Sequence, residues 1–207
     1  MAVMTAAEAR TYHLIGITST NEDTEIDEAI ARASVWAAEW LGYPAASAGA
    51  EATLESATYT HYNEHGAGGV EVVSGRMAQL PVIPVASITS VHVDEDWDYG
   101  AGDLVDSGDY VLDGVNGVLH LRTDASDSFS PVLRAVKVVY VAGYTTVPGP
   151  IVQAVGMLTR HLWDNRKRQG KSSVSVGGNS ASLRPARMPG EVADLLWPYR
   201  ILRGGAA

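Results

Sequence analysis

The hydrophobic period of this chain changes twice along its length, and no other feature limits the available folds as strongly. Ile26, Ala29, Ile30, Ala33, Trp36, Ala37 and Trp40 recur at spacings of three and four, which predicts one apolar stripe on a helix over residues 25–41. Both tryptophans are expected in the core. Gly42 supplies a C-terminal cap and Pro44 blocks continuation. A shorter helix precedes it, opened by Thr5 and Glu8 as a capping box. After the small-residue stretch 45–52 the pattern becomes short β-branched runs, at 70–73, 86–93, 110–112, 118–122 and 135–141. Asn116-Gly117 between two of these runs predicts a hairpin with a type I′ turn. The helical period returns at Pro148 and Pro150, with Ile151, Ala154, Val155, Leu158 and Leu162 on one stripe and Trp163 beside it. That helix is expected to end near Arg168.

The predicted fold class is α+β. Three main helices and a short C-terminal helix form a bundle, into which a small antiparallel β-barrel or sandwich is inserted. The expected segments are N-terminal bundle helices over 1–44, a β-domain over 53–143, the third helix over 148–169, a flexible Ser/Gly-rich arm over 170–188 and a C-terminal docking helix and tail over 189–207. Gly177-Gly178 is a candidate turn within the arm.

Charge adds a direction to this order. The 207 residues carry a net −9, but residues 1–130 hold 4 Lys/Arg against 21 Asp/Glu, and residues 131–207 hold 11 against 3. The two parts are therefore −17 and +8, a polarity that suits different partners at the two ends or end-to-face stacking of copies. The absence of cysteine excludes a disulfide scaffold, a Cys-ligated zinc or iron–sulfur site and thiol catalysis. No apolar run reaches membrane-spanning length, and Met1 to Arg10 lacks the order of a secretory leader.

Two strings could carry chemistry. His61, Glu64 and His65 match the H-x-x-E-H pattern of a zinc hydrolase. That pattern needs a helix. In a strand, residues four apart sit roughly 13 Å apart, too far for one ion. A metal-dependent hydrolase on these residues is the alternative reading of function, and chance resemblance in a strand is the preferred one. Asp94, Asp96 and Asp98 followed by Gly100 resemble half a calcium loop, but Tyr99 and Val105 stand where an EF-hand needs Gly and Glu. A Ca²⁺- or carbohydrate-binding β-module, drawing also on Asp103, Asp106 or Asp109, is the other alternative. No catalytic, cofactor or metal residue is assigned.

Two further clusters point to contacts. Arg160, Arg166, Lys167, Arg168 and Lys171 are basic, with no aromatic between Arg166 and Lys171, which suits phosphates or an acidic protein surface better than base stacking. Val192, Leu195, Leu196, Trp197, Tyr199, Ile201 and Leu202 form an apolar group that either folds back into the core or docks in a partner's groove.

Several strings, in order, resemble the head–tail connector (adaptor, or head-completion) proteins of tailed phages. They are Thr5-Ala6-Ala7-Glu8-Ala9-Arg10, Trp40-Leu41-Gly42-Tyr43, Leu80-Pro81-Val82 with Val85-Ala86-Ser87-Ile88-Thr89-Ser90-Val91, Val136 to Tyr144 leading to Val147-Pro148, and Leu195-Leu196-Trp197-Pro198-Tyr199-Arg200. The resemblance implies a non-enzymatic virion protein of the neck, assembled in the bacterial cytoplasm. It implies a ring, usually a dodecamer, under the portal protein, a stopper or tail-completion protein on the opposite face and packaged double-stranded DNA in the channel, bound without sequence specificity. Val192, Leu195, Leu196, Trp197, Tyr199, Ile201 and Leu202 would then dock on the portal. Arg166, Lys167, Arg168 and Lys171 would meet portal or DNA.

Overall fold

A computed structural model describes residues 3–14, 17, 19–64, 68–166, 173–176, 179–182 and 188–201. The fold is α+β. The chain divides into two compact units, one of residues 1–37 and 147–200 and one of residues 38–146 and 201–207.

The first unit is helical. Helix α1 (Ala6–Tyr12) opens on the expected capping box: the Glu8 amide donates to Thr5 Oγ1 at 3.2 Å, and the Thr5 amide donates to Glu8 Oε2 at 2.8 Å. Helix α2 spans Asp23–Leu41, and Arg10 pairs with Asp23 at its N-terminus. Helix α3 (Gly149–Asn165) starts behind Pro148 as expected but stops at Asn165, short of Arg168. Met4, Ala6, Ala9, Leu14, Ile26, Ile30 and Trp163 form one buried cluster, with Ile17 and Val152 packed against it.

Two core expectations shift. The centre of the α2 stripe is taken by Ile26, Ala29, Ile30, Ala33 and Ala37, while Trp36 and Trp40 are only half-buried. Small residues at the centre permit close helix approach, and Trp36 instead faces His161, with ring centroids 6.4 Å apart. On α3 it is Trp163 that is buried and Leu162 that is half-buried.

The second unit holds seven strands in two antiparallel sheets: β1 (Ala57–Tyr62), β2 (Glu71–Ser74), β3 (Met77–Gln79), β4 (Val85–Val93), β5 (Tyr110–Asp113), β6 (Val118–Leu121) and β7 (Val136–Ala142). One sheet has the order β1-β7-β4 and the other β2-β3-β6-β5; both are open, and neither closes into a barrel among the described residues. Strand β7 alternates as a half-buried strand must: Val136, Val138, Tyr140 and Ala142 are buried, and Lys137, Val139 and Val141 are half-buried. The β5–β6 hairpin forms where Asn116-Gly117 predicts it, but not with that turn. Asp113 pairs with Val118, so the loop has four residues, and only Gly117 of it (φ 69°) is left-handed. Asp113 holds the loop instead, its carboxylate accepting from the Asn116 side chain at 2.7 Å. Strands β8 (Ser173–Val176) and β9 (Asn179–Ser182) pair in the arm across 177–178.

Tyr59 of β1 is fully buried, stacked on Tyr140 and His61, and its hydroxyl has no hydrogen-bond partner among the described residues. Burial pushes its phenol pKa up. A buried hydroxyl without a partner costs about 1–3 kcal/mol. Tyr59→Phe is therefore expected to raise stability by about 1 kcal/mol, read as a melting temperature higher by about 2–4 °C. An unchanged or lower melting temperature would mean that the hydroxyl is satisfied in solution.

Candidate functional site

Helix α4 (Gly190–Leu196) begins behind Pro189 and runs into a 3-10 turn at Trp197–Tyr199. It packs on α3. Four residues apart, Val192 and Leu196 lie on one helical face and are buried. Of the two fates the sequence leaves open for this group, these two side chains take the first and fold back into the core of the helical unit. Leu195 and Tyr199 are half-buried. Trp197 is 59% exposed, with the Arg200 guanidinium 5.6 Å from its ring centroid. Ile201 is half-buried in the second unit, where its amide donates to the Leu41 carbonyl at 2.9 Å beside Gly42. Leu202 lies outside the described residues.

The basic group divides in the same way. Arg166 stacks over Trp163 at 3.7 Å and donates to the Trp163 carbonyl at 2.8 Å, with Glu22 3.8 Å away. Arg160 lies 3.6 Å from Asp164 and donates to the His13 carbonyl. These two cations are thus engaged within the helical unit. Lys167, Arg168 and Lys171 lie outside the described residues.

The H-x-x-E-H string does not lie on a helix. His61 is a residue of β1, and its Nδ1 lies 3.0 Å from the Tyr140 hydroxyl; Glu64 faces Arg134 at 3.6 Å. His65 lies outside the described residues. Among the described residues no three His, Asp or Glu side chains gather as a metal site would require. No described helix is long and apolar enough to cross a membrane.

The acidic loop after β4 is an ordered element. The Asp94 carboxylate accepts from the amides of Asp96, Asp98 and Tyr99 at 2.7–2.8 Å. These bonds, that from Tyr99 foremost, hold its pKa below the usual carboxylate value. The loop is then tied to residues 130–134 three times. Ser130 Oγ donates to Glu95 at 2.7 Å, Trp97 Nε1 donates to the Leu133 carbonyl at 3.0 Å, and the Tyr99 hydroxyl donates to the Arg134 carbonyl at 2.6 Å. Trp97 (φ 69°), Tyr99 (φ 48°) and Arg134 (φ 61°) are all left-handed, a conformation that surrounding contacts must enforce in non-glycine residues. Below them, Arg134 lies 4.4 Å over the Tyr62 ring and Lys137 4.8 Å over the Tyr99 ring. The result is an apolar surface of Trp97, Val132 and Leu133, 56%, 42% and 44% exposed, rimmed by Asp96 and Asp98. Sequence reasoning missed it. Its one local signal was a tryptophan set between two aspartates.

These features define a class first: an α+β scaffold without a metal cluster among the described residues, carrying exposed tryptophans at Trp97 and Trp197. Residues 2–202 match the head completion protein family. The chain belongs to that family and is a structural head–tail connector. Its fold is similar to that of a chain in the neck of an empty gene transfer agent particle computed with C6 symmetry, with TM-score 0.60 and 18% identity over 98% of this chain and 93% of that one. A chain from the virion of a native gene transfer agent particle gives TM-score 0.57 and 19% identity over 98% and 93%. One from the neck of the native particle computed with C12 symmetry gives 0.57 and 17% over 97% and 91%. No curated protein matches in sequence.

Proposed function

We propose that the protein forms a ring, a dodecamer, in the neck of a virion. There it sits on the portal protein, receives the stopper or tail-completion protein on its other face, and surrounds the packaged double-stranded DNA without reading its sequence. Its role is structural rather than catalytic, and assembly takes place in the bacterial cytoplasm. The family match over residues 2–202 carries this reading. The C12 neck of the similar fold supports the ring number, and a heterologous contact repeated around a closed ring requires no self-complementary patch.

Portal docking belongs in this proposal to the apolar end of the chain. Trp197 is its exposed anchor, Leu195, Tyr199, Ile201 and Leu202 belong to the same docking segment, and Val192 and Leu196 are buried and hold α4 in place. A buried tryptophan is a frequent anchor of protein interfaces. Arg166, at the end of α3, would meet acidic portal surface or channel DNA. Repetition around the ring multiplies a modest contact into avidity. Because truncation at residue 189 would remove two core side chains, the informative variants are Trp197→Ala and Trp197→Asp. Both are expected to keep the wild-type melting temperature and to lower co-sedimentation with portal about tenfold or more. Portal binding at wild-type level by Trp197→Asp would overturn the docking assignment.

A further inference from the structure

The Trp97 surface has a cost and a construction that a solvated loop does not need. Two non-glycine residues of the loop are held left-handed, three side-chain hydrogen bonds lock it to residues 130–134, and the product is an exposed indole beside Val132 and Leu133. Behind it, the buried Asn63 amide donates to the Ser130 and Val132 carbonyls at 3.2 and 2.7 Å and so fixes the segment that carries both aliphatic side chains. Preorganisation of this kind lowers the entropy lost when a partner binds.

Charge selects the partner. Residues 94–109 contain seven Asp/Glu and no Lys or Arg. Asp96 and Asp98 flank the indole, while the nearby cations Arg134 and Lys137 lie over the Tyr62 and Tyr99 rings, so the acidic loop favours a basic partner over DNA. Residues 167–187 of the same chain contain five Lys/Arg and no Asp or Glu, and they also carry Val174, Val176 and Leu183. An arginine over the exposed indole face would add a cation–π contact.

We propose that the Trp97, Val132 and Leu133 surface of one copy receives the basic arm, residues 167–187, of a second copy. The proposal rests on the ring reading above and names the contact that joins ring neighbours. Acidic surface and basic arm are different parts of the chain, so each copy offers one of each and the contact is heterologous, as a ring demands. The −17 and +8 parts of the sequence thereby acquire a common use.

The test is charge reversal with rescue, scored by imaging rings on heads that carry the cognate portal. Asp96 and Asp98 are exposed, so Asp96→Lys with Asp98→Lys is expected to keep the wild-type fold and lower ring occupancy about tenfold or more. Lys167→Glu with Arg168→Glu and Lys171→Glu is expected to do the same, and the two reversals combined to restore rings. The chain's lack of cysteine allows the direction to be read. An equimolar mixture of Asp96→Cys and Ser182→Cys proteins should give a mixed covalent dimer on oxidation, which neither gives alone. Normal rings from both reversals separately would overturn the proposal and leave the ring standing. So would a chain carrying both cysteines that closes only on itself, or a Trp97→Asp protein that forms normal rings and loses only the next neck component. Failure of the unaltered protein to form rings at all would overturn the ring reading, and this contact with it.

Discussion

Asn63→Ala is expected to destabilise the β unit by about 3–5 kcal/mol, enough to unfold a marginal protein. Asn63 is buried and fully used. Its side-chain nitrogen serves the Ser130 and Val132 carbonyls, and its Oδ1 accepts from the Val136 amide at 2.7 Å. Its own amide and carbonyl bond Val136 and Arg134. Alanine keeps the backbone bonds, and the Val132 carbonyl still accepts from the Ala135 amide at 3.0 Å, but the Ser130 carbonyl and the Val136 amide lose their side-chain partner, and each such buried group costs about 1–3 kcal/mol. A urea titration checks this. A midpoint unchanged from wild type would mean that water replaces the amide at no cost. Asn63→Asp is not a rescue, because it turns two donors into a charged oxygen aimed at two carbonyls. The introduced carboxyl would have a folded-state pKa above its unfolded value of about 3.9. Its stability contribution is therefore complete below that value and lost as pH rises through the folded pKa. The Asn63→Asp protein should lie closest to wild type near pH ~4 and fall away towards neutrality, the reverse of ordinary acid denaturation.

The order helix, strands, helix was legible because hydrophobic period is a local property, and a run of about ten residues displays it. Trp163 in place of Leu162, and the alanines in place of Trp36, were not legible, because neighbouring positions on a stripe are separated by what packs opposite them. For the C-terminal segment the sequence left two fates open, core or docking, for the same reason. Val192 and Leu196 have the spacing of a docking helix, and their partner is α3, some forty residues earlier. The β5–β6 loop was read from its most glycine-prone pair, whereas Asp113, three residues before Asn116, sets its length. The Trp97 surface depends on pairs such as Trp97 with Leu133 and Tyr99 with Arg134, each about 35 residues apart in sequence, and no local pattern encodes those. The ordered strings that resemble connector proteins did encode the family. One of them, Val136 to Tyr144, has a physical reason for its glycine.

That glycine is expected to give the second large effect: Gly143→Ala should cost about 3–4 kcal/mol. Gly143 follows β7 with φ 103°, its amide donates to the Pro84 carbonyl at 2.9 Å, and the next residue, Tyr144, bonds Leu54 and Ser56. A β-carbon there would lie 2.5 Å from the Glu55 carbonyl oxygen and 2.8 Å from its carbon. Those atoms are backbone and cannot swing aside, so overlap of about 1–3 kcal/mol adds to about 1–2 kcal/mol for the left-handed conformation. Gly156→Ala is the contrast. A β-carbon on Gly156 would lie closer still to its neighbour, 2.1 Å from His13 Nε2, yet that atom is the tip of a side chain that can rotate, and alanine gains about 1 kcal/mol of helix propensity over glycine. Gly156→Ala is therefore expected to change stability by less than about 1 kcal/mol while displacing His13, visible as a shift of its imidazole resonances. Equal losses at the two sites would show that backbone collision and left-handed strain are not what fixes Gly143, and that the step from β7 towards α3 tolerates a side chain.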